Sequence, residues 1–158
     1  MNRIMDKSEI LVLGIGNILL SDEGIGPKVI EALSKLELPE NVELLDGGTA
    51  GADLIDVLSD RKKVVFIDAM DAKAPAGTVM RLKWDELAPD NAEISVHEIG
   101  LFETLEMTKR LKCEPREVVI FGVQPESVRP GLELTDTLKK ILPGLVSEVV
   151  KELHPGSK

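Results

Sequence analysis

Four acids and one imidazole are set where chemistry could be done. Asp22 and Glu23 lie in a glycine turn, GNILLSDEGIG, at 16–26. Asp46 closes an apolar run and precedes Gly47-Gly48-Thr49-Ala50-Gly51; Asp68 closes another; His97 lies in SVHEIG. The other histidine, His154, belongs to the tail, so His97 is the sole candidate imidazole for a site. Two carboxylates and an imidazole suit a borderline divalent transition metal such as nickel, zinc or iron. Three protein ligands leave coordination positions open, as catalytic sites do. Magnesium or calcium would be satisfied by oxygen ligands and would have no use for His97.

Each of these residues also has a plainer reading, and spacing alone leaves both open. Asp22 and Glu23 suit the first turn of a helix, where acids meet the positive end of the macrodipole. Asp46 before two glycines and Asp68 at a strand end suit turns, and His97 suits a loop before a helix. Cys113, the one cysteine, reads as a small hydrophobe, since no histidine adjoins it. Asp71, Glu98 and Glu126 read as solvated surface acids. Gly14-Ile15-Gly16 begins like a dinucleotide fingerprint, but the third glycine position holds Leu19. No Lys-Ser or Lys-Thr pair follows, so a phosphate loop is excluded too. The turn instead brings backbone close to a neighbour, with Asn17 bonding the main chain or taking an unusual turn conformation.

The elements that must position these residues are short. Apolar runs predict strands at 9–14, 42–45, 63–68, 78–83 and 117–123. The first, third and fifth are nearly continuous in apolar residues, as in parallel strands covered on both faces. TVMRLK at 78–83 alternates, which predicts an edge strand of antiparallel sense. Helical periodicity predicts helices at 22–36 with Ser21 as N-cap, 51–60, 99–112 and 134–153, the last kinked or divided at Pro143-Gly144. Strands alternating with helices predict an α/β fold: a three-layer α/β/α sandwich around a mostly parallel, five-stranded twisted sheet. A single domain over 1–158 is expected, with its core at about 9–153. In such a sheet ligands bind outside the carboxyl ends of the strands, and three strands deliver carboxylates to that edge.

Composition narrows the function classes. A net charge of −9 argues against a nucleic-acid or anionic-membrane surface, which needs basic patches. One cysteine permits no internal disulfide, which suits a reducing compartment. No apolar run is long enough to span a membrane, and the first residues lack the pattern of a signal peptide. A cytoplasmic protein is expected.

Taken together, LVLGIGNILLSDEGIG, LLDGGTAG, VVFIDA, SVHEIG and FGVQPES resemble, in order and spacing, the hydrogenase maturation proteases. The resemblance runs from about residue 9 to 153. It implies an endopeptidase that trims the C-terminal extension from the large-subunit precursor of a [NiFe] hydrogenase, and a monomer. In that family an acid of the first motif, an Asp after the third strand and a His before a later helix bind a metal. The matching positions are Glu23, Asp68 and His97, with Asp22 the second choice in the first motif. Asp46 matches an Asp of the DGGT segment and, like Asp22, is a candidate general base. The resemblance further implies that nickel arrives bound in the substrate, that other divalent ions can occupy the same ligands, and that free metal binds weakly. Gly47–Gly51 would form an edge for the substrate tail, and residues 124–127 a wall. A competing reading is a non-catalytic α/β module that binds a ligand or partner in the same crevice.

Overall fold

Leu11, Val12 and Leu13 are fully buried, as are Val64, Val65, Phe66 and Ile67. Runs this apolar are stable only where helices cover both faces of the sheet. They form strands β1 (Ile10–Ile15) and β3 (Lys63–Asp71) of a computed structural model that describes residues 7–48, 54–86, 95–96 and 99–154. With β2 (Val42–Gly48), β4 (Val79–Lys83) and β6 (Glu117–Val123) they make a path of five strands in the order β2-β1-β3-β6-β4. The first four run parallel, and β4 pairs antiparallel with β6. The five expected strands are thus all present, including the antiparallel edge. A two-residue strand that periodicity could not reveal, β5 (Ser95–Val96), pairs antiparallel with the end of β3.

Helices cover both faces. On one side α1 (Ile25–Leu33) and α4 (Asp136–Leu153) pack Ile25, Val29, Leu138 and Leu145 against Val12, Val65, Ile67 and Phe121. On the other, α2 (Leu54–Leu58) and α3 (Ile99–Arg110) set Leu54, Leu58 and Leu105 against Leu11, Leu13, Phe66 and Met70. The three-layer sandwich follows.

Three helix boundaries depart from expectation. The helix predicted over 22–36 divides into a 3-10 turn at Ser21–Gly24 and α1. Ser21 caps neither: its φ is 52° and its hydroxyl donates to the Arg129 carbonyl at 2.6 Å. Of the helix predicted over 51–60, residues 51–53 lie outside the described residues and α2 covers only 54–58. Finally, of a last helix kinked or divided at Pro143-Gly144, the division is absent: α4 is one helix with Pro143 inside it. Pro143 and Gly144 sit on its exposed side, where the ring and the missing amide disturb no core contact. Thr135 caps α4, its hydroxyl oxygen accepting from the Leu138 amide.

Candidate active site

The chain order opens a crevice at one place. From β1 the chain crosses through α1 to β2, then returns through α2 on the opposite face to β3, on the other side of β1. The connections leaving β1 and β3 therefore part, and a gap opens above the carboxyl ends of these two strands.

Two glycines lay the first motif across that gap. A Cβ on Gly26 would run into the carbonyl oxygens of both Ile15 and Ile67, and one on Gly16 would meet the Glu23 carbonyl oxygen. Gly16 also has a φ of 141°, where L-residues are strained. The glycines thus let residues 23–26 rest on the end of β1 and on β3 at Ile67, where its pairing with β1 stops, which explains their number without any phosphate. Asn17 fixes the turn, its side-chain oxygen accepting from the Leu19 amide at 2.9 Å.

Asp68 sits one residue beyond Ile67, which is in register with Gly14 of β1. Only 3% of it is exposed. By strand alternation it shares its face with Phe66 and Met70, the face covered by α3. Glu23, partly exposed, and Asp68 thus belong to two segments that meet at this gap. His97 and Glu98 lie outside the described residues. Their described neighbour Val96 pairs with Met70, two residues past Asp68. Among the described residues no three His, Cys, Asp or Glu side chains are grouped to hold a metal ion.

Asp46 is exposed and in register with Gly14; the ladder shifts immediately after it, Ile15 pairing with Gly48. By strand alternation it shares its face with Leu44, which packs toward the α1 side of the sheet. Asp46 and Asp68 therefore leave their strands on opposite faces of the sheet.

Asp22 is corrected. It is completely buried and its carboxylate is consumed by the chain itself. Oδ2 accepts from the Glu126 amide at 2.8 Å and the Ser127 amide at 3.1 Å; Oδ1 accepts from the Thr135 amide at 2.8 Å and its hydroxyl at 3.0 Å. A carboxylate offers roughly four acceptor positions, so Asp22 is neither a spare metal ligand nor a general base. Residues 124–127 tie loops together. Gln124 is buried, and its side-chain oxygen accepts from the Ala72 and Ala74 amides at 2.7 and 3.2 Å. Asp71 joins this staple, accepting from Gln124 Nε2 at 3.2 Å. Sequence reading missed both anchors, since nothing local distinguishes a buried Asp or Gln from an exposed one. Glu126 has the exposed position expected. Cys113 is half-buried against the Ser59 hydroxyl, 3.3 Å away, near the amino end of β3 and far along the chain fold from the acids.

A cavity of about 780 Å³ lies between α3 and the 3-10 turn Trp84–Glu86, at the amino end of β6. Glu23, Asp46 and Asp68 do not line it, so this hollow and the acids are at opposite ends of the sheet.

A doubly wound sheet whose switch point is bordered by the segments carrying Glu23 and Asp68 defines an α/β protein of a kind several enzyme classes use. The comparisons specify the class. The family profile for HycI, hydrogenase maturation protease, matches residues 27–152. The chain is 40% identical over 148 residues to the hydrogenase 2 maturation protease of Escherichia coli, spanning 92% of this chain and 90% of that one. It superimposes on the hydrogenase maturating endopeptidase HybD of E. coli with a TM-score of 0.83 at 39% identity, covering 92% and 91% of the two chains. The [NiFe] hydrogenase maturation protease HybD of Thermococcus kodakarensis gives a TM-score of 0.76 at 27% identity, covering 92% and 99%. This chain belongs to the hydrogenase maturation protease family and is a peptide hydrolase.

Proposed function

We propose that the enzyme removes the C-terminal extension of a [NiFe] hydrogenase large-subunit precursor once nickel is in place, with Glu23, Asp68 and His97 reading the metal. The observation that carries this reading is the approach of the Glu23 segment to β3 one residue before Asp68, through Gly26 against the Ile67 carbonyl. The pairing of Val96 with Met70 supports His97 as the third member. A relative named for [NiFe] hydrogenase maturation supports the substrate.

Two carboxylates and one imidazole match the donor preference of nickel. The metal is part of the substrate, and its remaining positions are filled by the precursor's own ligands. Contact with it sets the scissile peptide beside a Lewis acid. Asp46, exposed next to Gly47 and on the opposite face from Asp68, serves as the general base for the attacking water rather than as a further metal ligand. The Gly47-Gly48 backbone, at the shift in the β1–β2 ladder, gives the tail an edge to lie along.

The test mixes purified enzyme with nickel-loaded or nickel-free folded precursor and follows loss of the extension by mass spectrometry. Only the loaded precursor is expected to be cut. His97→Ala, Glu23→Gln and Asp68→Asn should abolish cutting, and Asp46→Asn should slow it by about 10²–10⁴-fold. Equal cutting of both precursors would overturn the metal reading. Binding of the loaded precursor with no cutting would show that this precursor is not the protein it hydrolyses.

A further inference from the structure

Exposed aliphatic side chains are unevenly spread over this enzyme. Ile18 (50% exposed), Leu19 (57%), Val128 (43%) and Leu132 (70%) occur on two loops that are distant in sequence and joined in space. The Ser21 amide donates to the Gly131 carbonyl and the Gly131 amide to the Leu19 carbonyl, both at 2.9 Å, and Leu20 bridges Gly131 as a parallel pair. Asp22 locks the same two loops from below through the amides of Glu126, Ser127 and Thr135. The aliphatic side chains are therefore presented by fixed backbone, and a partner binding there would have little loop ordering to offset.

The patch adjoins the crevice. The Glu23 amide donates to the Leu20 carbonyl at 3.1 Å, and a Cβ on Gly24 would lie 3.3 Å from the Ile18 Cα. Other exposed leucines, Leu36 and Leu111, follow the carboxyl ends of α1 and α3 at the opposite end of the sheet. Contiguous exposed apolar surface beside a functional crevice marks a binding face.

We infer that Ile18, Leu19, Val128 and Leu132 form the docking surface on which the enzyme holds the folded body of its precursor substrate while Glu23 reaches the metal. The inference rests on the proposed function for the identity of that substrate. A peptidase that acts on one protein gains specificity from contacts outside the cut bond. A second copy of this chain is the poorer occupant, because self-pairing here would cover the crevice beside Glu23.

The experiment measures affinity for the nickel-loaded precursor by biolayer interferometry, using the His97→Ala enzyme as a non-cutting trap. In that background Leu19→Ser with Leu132→Ser should weaken the Kd at least tenfold, and Leu36→Ser with Leu111→Ser should leave it unchanged. In the otherwise native enzyme the first pair should raise KM with kcat preserved, and circular dichroism should show both pairs folded. Unaltered affinity in the Leu19/Leu132 pair, or equal weakening in the control pair, would overturn the docking surface while leaving the peptidase reading intact if cutting persists. Precursor binding lost in the first pair, but with no cutting by native enzyme, would uphold the surface and sink the proposed cutting of this precursor. A native dimer that the first pair dissociates would assign the patch to a second copy and overturn the inference.

Discussion

At the scale of single residues, neighbours in the sequence do unlike work. Asp22 and Glu23 are adjacent acids, yet one is sealed beneath the 126–135 loop and the other remains partly exposed at the crevice. Removing the Asp22 carboxylate would strand three backbone amides and a hydroxyl, and each buried unsatisfied group costs roughly 1–3 kcal/mol. Asp22→Ala is therefore expected to lower unfolding free energy by at least about 3 kcal/mol, read from urea denaturation. Asn should not rescue it, since its amide would face donors. Thr135→Val should lose less, about 1 kcal/mol for one hydroxyl partner. A native-like urea midpoint for Asp22→Ala would contradict the anchor. Gly26 is constrained by space alone: Gly26→Ala should destabilise by about 1–3 kcal/mol as for other overpacked sites, because the Cβ meets rigid backbone carbonyls. The same urea titration would read it, and an unshifted midpoint would show that the motif does not lie as closely on β1 and β3.

At the scale of elements, the carboxyl end of α4 is held to the sheet by a charge cluster. Glu152, 6% exposed, accepts from Lys63 of β3 and from Arg81 of β4, both at 2.6 Å. Burial pushes the Glu152 pKa up, but hydrogen bonds from Arg81 and Lys63 outweigh it and hold the group below its ordinary value of 4.5. A depressed folded-state pKa contributes stability that is present above the unfolded value and fades as pH falls through the folded one. Native stability should therefore drop as pH is lowered below about 4.5. Glu152→Gln should lose this part of the acid dependence and be less stable at pH 7 by about 3 kcal/mol, the scale of a buried pair broken on one side. Urea midpoints across pH 3–7, on the order of the carboxylate range, would test it; parallel curves for native and variant protein would refute the assignment. The 3-10 turn at Ser21–Gly24 and the glycines around it serve a different end, fixing where the crevice lies.

At the scale of the molecule, the strand order β2-β1-β3-β6-β4 makes the gap above β1 and β3 inevitable, and the proposed metal reading depends on that gap being incomplete as a binding site. The isolated enzyme is thus expected to bind free nickel only weakly, because its own donors leave coordination positions empty. Isothermal titration of nickel into the purified protein would check this; tight, stoichiometric binding without precursor would mean that the enzyme completes the coordination sphere alone. None of the helices among the described residues is long and apolar enough to cross a membrane.

Much of the architecture is written locally. Leu11–Leu13 and Val64–Ile67 announce central parallel strands because only a doubly covered strand can be apolar at every position, and the alternation of residues 78–83 announces the antiparallel edge. Glu23, Asp46 and Asp68 could be assigned toward the carboxyl edge because each follows a legible apolar run, although β2 and β3 continue past Asp46 and Asp68 to Gly48 and Asp71. Two-residue β5 left no period to read, and α4 continues through Pro143, whose ring is on the exposed side, because its buried leucines and valines hold the helix to the sheet on both sides of it. Tertiary structure alone decided that Asp22 is an anchor, since its partners lie 104 to 113 positions away, and that Asp46 and Asp68 depart from opposite faces. It alone also joined Leu19 to Gly131. The physical reason is range: burial pattern and turn chemistry act within a few residues, whereas hydrogen-bond partnership across loops exists only once the chain has closed on itself.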